Sequence, residues 1–374
     1  MPRNFKSATP GDSPLIVVAA GGTAGHLFPA EALAAALVKR GAVVDLATDH
    51  RATRYGAEFP ARATHVIPSA TLRRSNPVTF ITAPLQIVGG MARAFLLLGR
   101  LQPAAVIGFG GYPTIPPVLA ARLRGIPTLI HDQNGVLGRA NKLLAPYVDA
   151  IGITFPRVLD AFPGLAAKAT HTGNPVRPAV VAAAATPYPG PDDGKFRLLV
   201  FGGSQGAKVM ADVVPPALAL LAPELRARLA VTQQARDDDV ERVRRTYAAA
   251  GIAAEVSPFF TDLPARIAAN HLIVSRSGAS TVAELAAIGR PGILVPLPHA
   301  LDQDQLANAR ILEGAGGAIR IDQPGFTPNR LATEIAGLMN DRAQLVAMAA
   351  AAKSCGAIDA SERLADLVLR VARR

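Results

Sequence analysis

The chain has 374 residues, half of them apolar and 18% charged, with 33 Gly and 31 Pro; that length suits two packed domains, and the composition excludes a disordered, collagen-like or coiled-coil protein. A single cysteine, Cys355, excludes an internal disulfide framework or a zinc–cysteine cluster and fits a reducing compartment. The net charge of +11 calls for an anionic partner, yet only 5% of residues are aromatic and none is Trp, so a lipid surface or a diphosphate is expected and nucleic acid is not.

Residues 1–14 read as a tail. The apolar run 15–20 is too short for a signal peptide and reads as a first strand, closed by the glycine turn Gly21-Gly22-Thr23-Ala24-Gly25-His26. A helix is expected from about Pro29, with proline in the first turn, where it is tolerated. From residue 59 to 131 there is no Asp or Glu, while seven arginines fall inside, among them Arg73, Arg74 and Arg93. Within that region Leu72, Arg73, Arg74, Phe80 and Arg93 belong to an apolar and basic stretch that fits a surface dipping into an anionic leaflet; the alternative is a long buried helix. No run reaches the about 18 apolar residues of a spanning helix.

Short runs rich in Val, Ile and Leu at 104–107, 128–130, 197–201, 272–274 and 293–295 alternate with helical patterns, the signature of βαβ units in parallel sheets. The fold class expected is therefore α/β, with two Rossmann-like doubly wound parallel-sheet domains and a cleft between them, because ligands of such sheets sit beyond the carboxyl ends of the strands. Further glycine turns follow at Gly108 (GFGGYP) and Gly202 (GGSQGA). Such turns let backbone N–H groups close on a phosphate, or serve only tight strand-to-helix packing. Neither the dinucleotide fingerprint nor the P-loop pattern is matched.

His26 can accept a proton from an attacking hydroxyl, or merely cap or position a substrate. Polar groups crowd at His131-Asp132-Gln133-Asn134-Gly135 after a strand, which is costly unless they line a site. Glu284, in the first two turns of a helix after Ser275, suits the paired hydroxyls of a ribose; the alternative is a carboxylate complementing the helix dipole. Asp302-Gln303-Asp304 and Asp237-Asp238-Asp239 match D-x-D, but no histidine pair has metal spacing, so no metal or other cofactor is expected in the site. The segment 185–194, dense in Pro, Gly and Asp, is read as the linker between a first domain at 15–184 and a second at 195–358. The last stretch, 359–374, carries Leu364, Leu367, Val368 and Val371 on one helical face and is expected to pack back onto the first domain.

In order along the chain, GGTAGH, GFGGYPTIPP, HDQNGVLGRANK, TGNPVR, FGGSQGA, SRSGASTVAEL and HALDQDQLANA resemble the bacterial MurG family of lipid I N-acetylglucosaminyltransferases. The resemblance runs from about residue 15 to 373. It implies a GT-B enzyme that moves N-acetylglucosamine, with inversion, from UDP-GlcNAc to the 4-hydroxyl of undecaprenyl-diphosphate-MurNAc-pentapeptide (lipid I), giving lipid II. It also implies a peripheral position on the anionic cytoplasmic face of the inner membrane. The first domain would take the acceptor and the second the donor. Carried over by position, His26 is the catalytic candidate and Tyr112 lies on the acceptor side. Thr23, Ala24, Gly25, Asn134, Arg177, Ser204, Phe260, Ala279, Ser280, Thr281, Val282, Ala283, Glu284 and Gln305 fall to the donor. The chain departs from the family pattern at Ala24, at Asp132, which stands for a glutamate, and at Asp304, which stands for a glutamine. Alternatives are another UDP-sugar enzyme of this architecture, such as a glycolipid glycosyltransferase or a UDP-GlcNAc epimerase, or a nonenzymatic nucleotide-sugar or lipid-binding protein.

Overall fold

The computed structural model describes residues 13–21, 23–50, 59–69, 78–189, 194–203 and 207–373. Among them the strands form two sheets. The first contains β1 (Leu15–Ala19), β2 (Val43–Thr48), β3 (Ala63–Val66), β4 (Ala105–Gly108), β5 (Thr128–Asp132), β6 (Ala150–Ile153) and β7 (Ala169–His171), in the order 3-2-1-4-5-6-7. The second contains β8 (Phe196–Phe201), β9 (Leu229–Gln234), β10 (Ala253–Ser257), β11 (Leu272–Ser275), β12 (Gly292–Leu294) and β13 (Ala318–Arg320), in the order 10-9-8-11-12-13. Every pairing is parallel. Parallel strands need crossover helices that cover both faces, so the central strands are apolar throughout, with Ile16, Val17 and Val18 in β1 and Leu198, Leu199 and Val200 in β8 fully buried.

The helices of the first half are α1 (Ala24–Lys39), α2 (Val78–Leu101), α3 (Ile115–Leu123) and α4 (Arg139–Leu144). Those that follow are α5 (Pro178–Ala183), α6 (Lys208–Ala219), α7 (Pro223–Arg228), α8 (Asp237–Ala249), α9 (Leu263–Ala269), α10 (Ala279–Ile288), α11 (Asp304–Ala315), α12 (Pro328–Asn340), α13 (Arg342–Ser354) and α14 (Ala360–Ala372). The helix α1 begins at Ala24 rather than near Pro29, so the glycine turn itself supplies its first turn and Pro29 lies inside the helix. The N–H that Pro29 lacks would have bonded the carbonyl of Gly25, one turn back at the open end of the helix, where loss of a bond is cheapest. His26 is thereby fixed on a helix instead of a loop.

The chain crosses between the two halves earlier than the composition of 185–194 suggests. The helix α5 already packs against α9 and α10 of the second half, so the crossing lies at 172–177. Segment 186–187 is held in the second half by Arg290, which is 1% exposed and donates to the carbonyls of Thr186, Pro187, Ala268, Ile288 and Gly289. The return crossing precedes α14, whose Leu364, Leu367, Val368 and Val371 join the core under α1, and whose Glu362 and Asp366 pair with Arg40. The two crossings touch: Gly173 has φ +77°, and a methyl group there would come within 2.6 Å of the Ala357 side chain.

Burial of Arg290 pulls its pKa down to about 10, yet its carbonyl partners have no replacement donor. Replacement by Met should therefore lower the free energy of unfolding by about 3 kcal/mol. Chemical denaturation checks this, and a change within the about 0.5 kcal/mol of ordinary surface substitutions would show that the linker is held by other contacts.

Candidate active site

The carboxyl ends of both sheets open on one cleft of about 950 Å³, lined from the first half by Thr23, Gly25 and Phe28 and from the second by Gly202, Gly203, Phe260, Ser280, Thr281, Glu284 and Gln305. At its floor stands the start of α10. Its N-cap, Gly278, offers no side chain, so the N–H groups of Ala279, Ser280 and Thr281 point toward the cleft without helical partners, at the positive end of the helix dipole. The Ser280 hydroxyl is buried and unpaired beside them. Arg276, Lys208 and Arg236 also line the cavity. Such an arrangement has the chemistry to receive a multiply charged anion.

Glu284 lies deeper on the same helix. Its carboxylate accepts a bond of 3.1 Å from Arg177, whose guanidinium sits 4.3 Å above the ring of Phe28. Arg177 thus bridges the crossing segment, α1 and α10. The buried Val282 and Ala283 pack in the core instead, and the N–H of Val282 is spent on Gly278; the side-chain part of the expectation for these two residues is corrected by helix periodicity, which turns them away from the cleft. Phe260 is buried beneath the Arg266 guanidinium, 4.2 Å from its ring centre, while neighbouring Phe259 is 64% exposed at the rim. Gln305 commits its side-chain oxygen to the N–H of Leu297, so the face it can offer a ligand is its NH2 group. Ser204 lies outside the described residues, as do the side-chain surroundings of Ala24.

Asn134 does not line the cavity. Its side-chain oxygen accepts from Asn308, and the N–H of Gly135 donates 2.7 Å to the other end of the same amide. Asn308 is fully buried and also donates to the carbonyl of Ser277, so it fastens the first half to the second. Asp302 adds ion pairs to Arg139 and Lys142 across the same seam. Three non-glycine residues with positive φ, His299, Asp302 and Gln303, crowd into this loop, a concentration of backbone strain of the kind found at binding sites.

Asp132 is committed to structure. Its carboxylate accepts from the N–H groups of Asn134 and Gly138 and from the side chain of Asn141, and burial raises its pKa against those bonds. The second glycine turn has a different role from a phosphate cradle. Gly110 and Gly111, at φ +85° and +74°, lie against the imidazole of His26, where methyl groups would come within 3.4 Å of the ring. Tyr112 follows, half-buried, at the start of a short 3-10 turn.

Of the apolar and basic stretch, Leu72, Arg73 and Arg74 lie outside the described residues, as does the side chain of Phe80. The buried-helix alternative holds for one stripe of the rest: between 86 and 101 Gly90, Ala94 and Leu98 are buried, at intervals of four, and Leu97 and Leu101 pack against the core. Val88 and Leu96 are 64% and 61% exposed, Leu123 of α3 is 68% exposed, and Arg93 is exposed among them. Among the described residues no helix is long and apolar enough to cross a membrane, and no three His, Cys, Asp or Glu side chains gather as metal ligands. Asp239 of the other D-x-D segment pairs with Arg242 in the first turn of α8.

Sequence reasoning missed Phe28, Gln234, Arg276 and Asn308. Gln234 accepts from the N–H of Gly202 and donates to the carbonyl of Pro258, tying the glycine turn after β8 to the loop that carries Phe260. Arg276 donates to the carbonyls of Val295 and Pro296 and to Gln323. Arg276 and Asn308 had a local signal, their places in the SRSGASTVAEL and HALDQDQLANA motifs.

Burial is the main influence on Glu284 and raises its pKa, with Arg177 opposing. The folded state therefore holds this proton to higher pH than the unfolded chain. The associated stability is present below the unfolded value, about 4.3, and is lost as pH rises through the folded value. Replacement by Gln should leave the protein at least as stable at pH 7 and flatten the decline above pH about 4.3. Denaturation over a pH series checks this; a less stable variant at pH 7 would mean that the pair with Arg177 outweighs the desolvation.

The family descriptions "Glycosyltransferase family 28 N-terminal domain" and "Glycosyltransferase family 28 C-terminal domain" match residues 16–153 and 197–364. The chain is 61% identical over 363 residues to the UDP-N-acetylglucosamine–N-acetylmuramyl-(pentapeptide) pyrophosphoryl-undecaprenol N-acetylglucosamine transferase of Rhodopseudomonas palustris, covering 97% of this chain and 99% of the relative. It is 59% identical over 362 residues to the protein of the same name from Nitrobacter winogradskyi, covering 96% and 98%. Among solved structures it is similar to Acinetobacter baumannii MurG, with a TM-score of 0.79, 32% identity and coverage of 96% and 100%. With two parallel sheets opening on one cleft and both halves matched, the chain belongs to glycosyltransferase family 28 and has the GT-B fold.

Proposed function

We propose that this protein transfers N-acetylglucosamine from UDP-GlcNAc to the 4-hydroxyl of lipid I, forming lipid II and UDP. The observation that carries the reading is identity near 60% over almost the whole length to relatives named for that transfer. The cleft supports it with chemistry suited to a nucleotide diphosphate. As the bond to the anomeric carbon breaks, negative charge collects on the departing diphosphate, and the N–H groups of Ala279, Ser280 and Thr281 with the dipole of α10 are aimed where that charge develops. Ser204 belongs to the same task. Glu284 receives the ribose hydroxyls, Phe260 and the rim Phe259 border the base, and the NH2 group of Gln305 meets the sugar. Thr23 and Gly25 border the donor sugar and diphosphate, Tyr112 lies on the acceptor side, and His26 takes the proton of the attacking 4-hydroxyl. No metal is needed in this scheme, because helix and guanidinium groups supply the positive charge.

Exposed apolar side chains of α2 and α3 support access to a membrane-borne acceptor. Val88, Arg93 and Leu96 of α2 and Leu123 of α3 are all exposed, a combination suited to the cytoplasmic surface of an anionic membrane.

UDP release should depend on a short-chain lipid I analogue and persist in EDTA. His26→Ala should lower kcat by about a hundredfold or more with little change in donor KM, and Glu284→Ala should raise donor KM by about tenfold or more. UDP release without acceptor, or full turnover by His26→Ala, would contradict the scheme. The double variant Val88→Asp with Leu96→Asp should sediment less with anionic vesicles while keeping turnover on a soluble acceptor; unchanged sedimentation would remove α2 from the membrane surface.

A further inference from the structure

The buried polar residues after β5 form a chain of hydrogen bonds that ends on His26. At its far end His131 Nε2 lies 2.9 Å from the carbonyl oxygen of Gly173. A carbonyl only accepts, so Nε2 carries a hydrogen. His131 is fully buried and its pKa is pushed down to about 4 by desolvation, so the ring is neutral and its Nδ1 is a bare acceptor. Gln133 Nε2 lies 3.0 Å from that Nδ1 and 2.9 Å from the His131 carbonyl. Both are acceptors, which fixes the orientation of the Gln133 amide: turned over, its oxygen would face two lone pairs. The oxygen therefore points the other way, to His26 Nδ1 at 3.0 Å. An amide oxygen cannot donate, so the hydrogen between them belongs to His26 Nδ1, and His26 Nε2 is left as the atom that can accept a proton.

We infer that Gln133 and His131 are positioning residues that hold His26 in its Nδ1–H tautomer with the Nε2 lone pair free for the acceptor hydroxyl. The inference rests on the reading of His26 as the group that takes the acceptor proton, and it adds how that capacity is imposed. The free imidazole of a histidine prefers the opposite tautomer, so an unassisted His26 would present an N–H where a lone pair is needed. The relay is anchored by backbone. Gly173 lies in the interdomain crossing at φ +77°, and Gly152 leaves room for His131, since a methyl group there would stand 2.9 Å from the ring. The orientation of the proton acceptor is thereby tied to the segment that joins the two halves.

Among the described residues, charged groups that face His26 are Asp132 at the end of β5 and Asp304 at the start of α11. Neither bonds its Nδ1, so the tautomer of the neutral ring reports on Gln133.

The test is long-range nitrogen–proton correlation NMR of the histidines in the 15N-labelled full-length protein, with His26→Asn for assignment, at a pH where His26 is neutral. The wild type should show His26 as Nδ1–H. Gln133→Leu should convert it mainly to Nε2–H, and kcat should fall by about ten- to a hundredfold with donor KM unchanged. Gln133→Glu should restore Nδ1–H and move the acidic limb of the pH profile upward by about one unit, because a carboxylate favours the imidazolium. A wild-type Nε2–H form, or a tautomer indifferent to Gln133→Leu, would overturn the inference. Since the spectrum needs no substrate, that failure would leave the transfer reaction standing; loss of lipid I-dependent UDP release with the tautomer intact would instead overturn the reaction.

Discussion

A parallel sheet delivers the start of every following helix to the same edge, and this protein turns two such edges toward one another. The rest of its chemistry depends on that constraint. Unpaired N–H groups at a helix start are costly when buried without a partner and useful when an anion fills the space. Here α10 brings three of them, with an unpaired Ser280 hydroxyl, to the floor of the cleft between the halves. The opposite wall is the first turn of α1, which carries His26. Thr23, Gly25 and Phe28 of this region line the cleft opposite α10.

Such a cleft requires the halves to keep their register, and the seam is polar where it must also admit substrate. Asn308 spends its amide on Asn134, Gly135 and Ser277, and Arg177 links the crossing segment to both sides through Phe28 and Glu284. These contacts are directional and individually modest, about 1 kcal/mol each for neutral pairs. Beneath these polar contacts one buried apolar cluster contains residues of both halves, Val17 and Ile130 with Leu199 and Ile273.

Much of this was legible in the residues. Valine- and isoleucine-rich runs closed by glycine turns located the central strands, because a strand buried on both faces leaves a continuous apolar signature. Helical spacing of Leu364, Leu367, Val368 and Val371 located the C-terminal helix. The start of α1 was misplaced because Pro29 carries a strong positional preference, which tertiary packing at the open end of the helix overrides. The linker was misplaced for a related reason: Pro and Gly mark irregular backbone, whereas a domain crossing is defined by which core α5 joins. Phe28 and Gln234 had no local signature, since each acquires its role only through partners distant in sequence; Arg276 stood within the SRSGASTVAEL motif, but its partners Val295, Pro296 and Gln323 are distant. The motifs named Asn134 as a ligand group, but which side of the seam its amide serves is a property of three dimensions.

The central claim is that the uridine diphosphate sits between the sheets with its phosphates on the start of α10. A crystal structure with bound UDP-GlcNAc tests it most directly. The account predicts diphosphate oxygens within hydrogen-bonding distance of the N–H groups of Ala279 to Thr281, the ribose against Glu284, and the sugar turned toward His26. A nucleotide bound outside this cleft, or bound within it with its phosphates away from α10, would contradict the account.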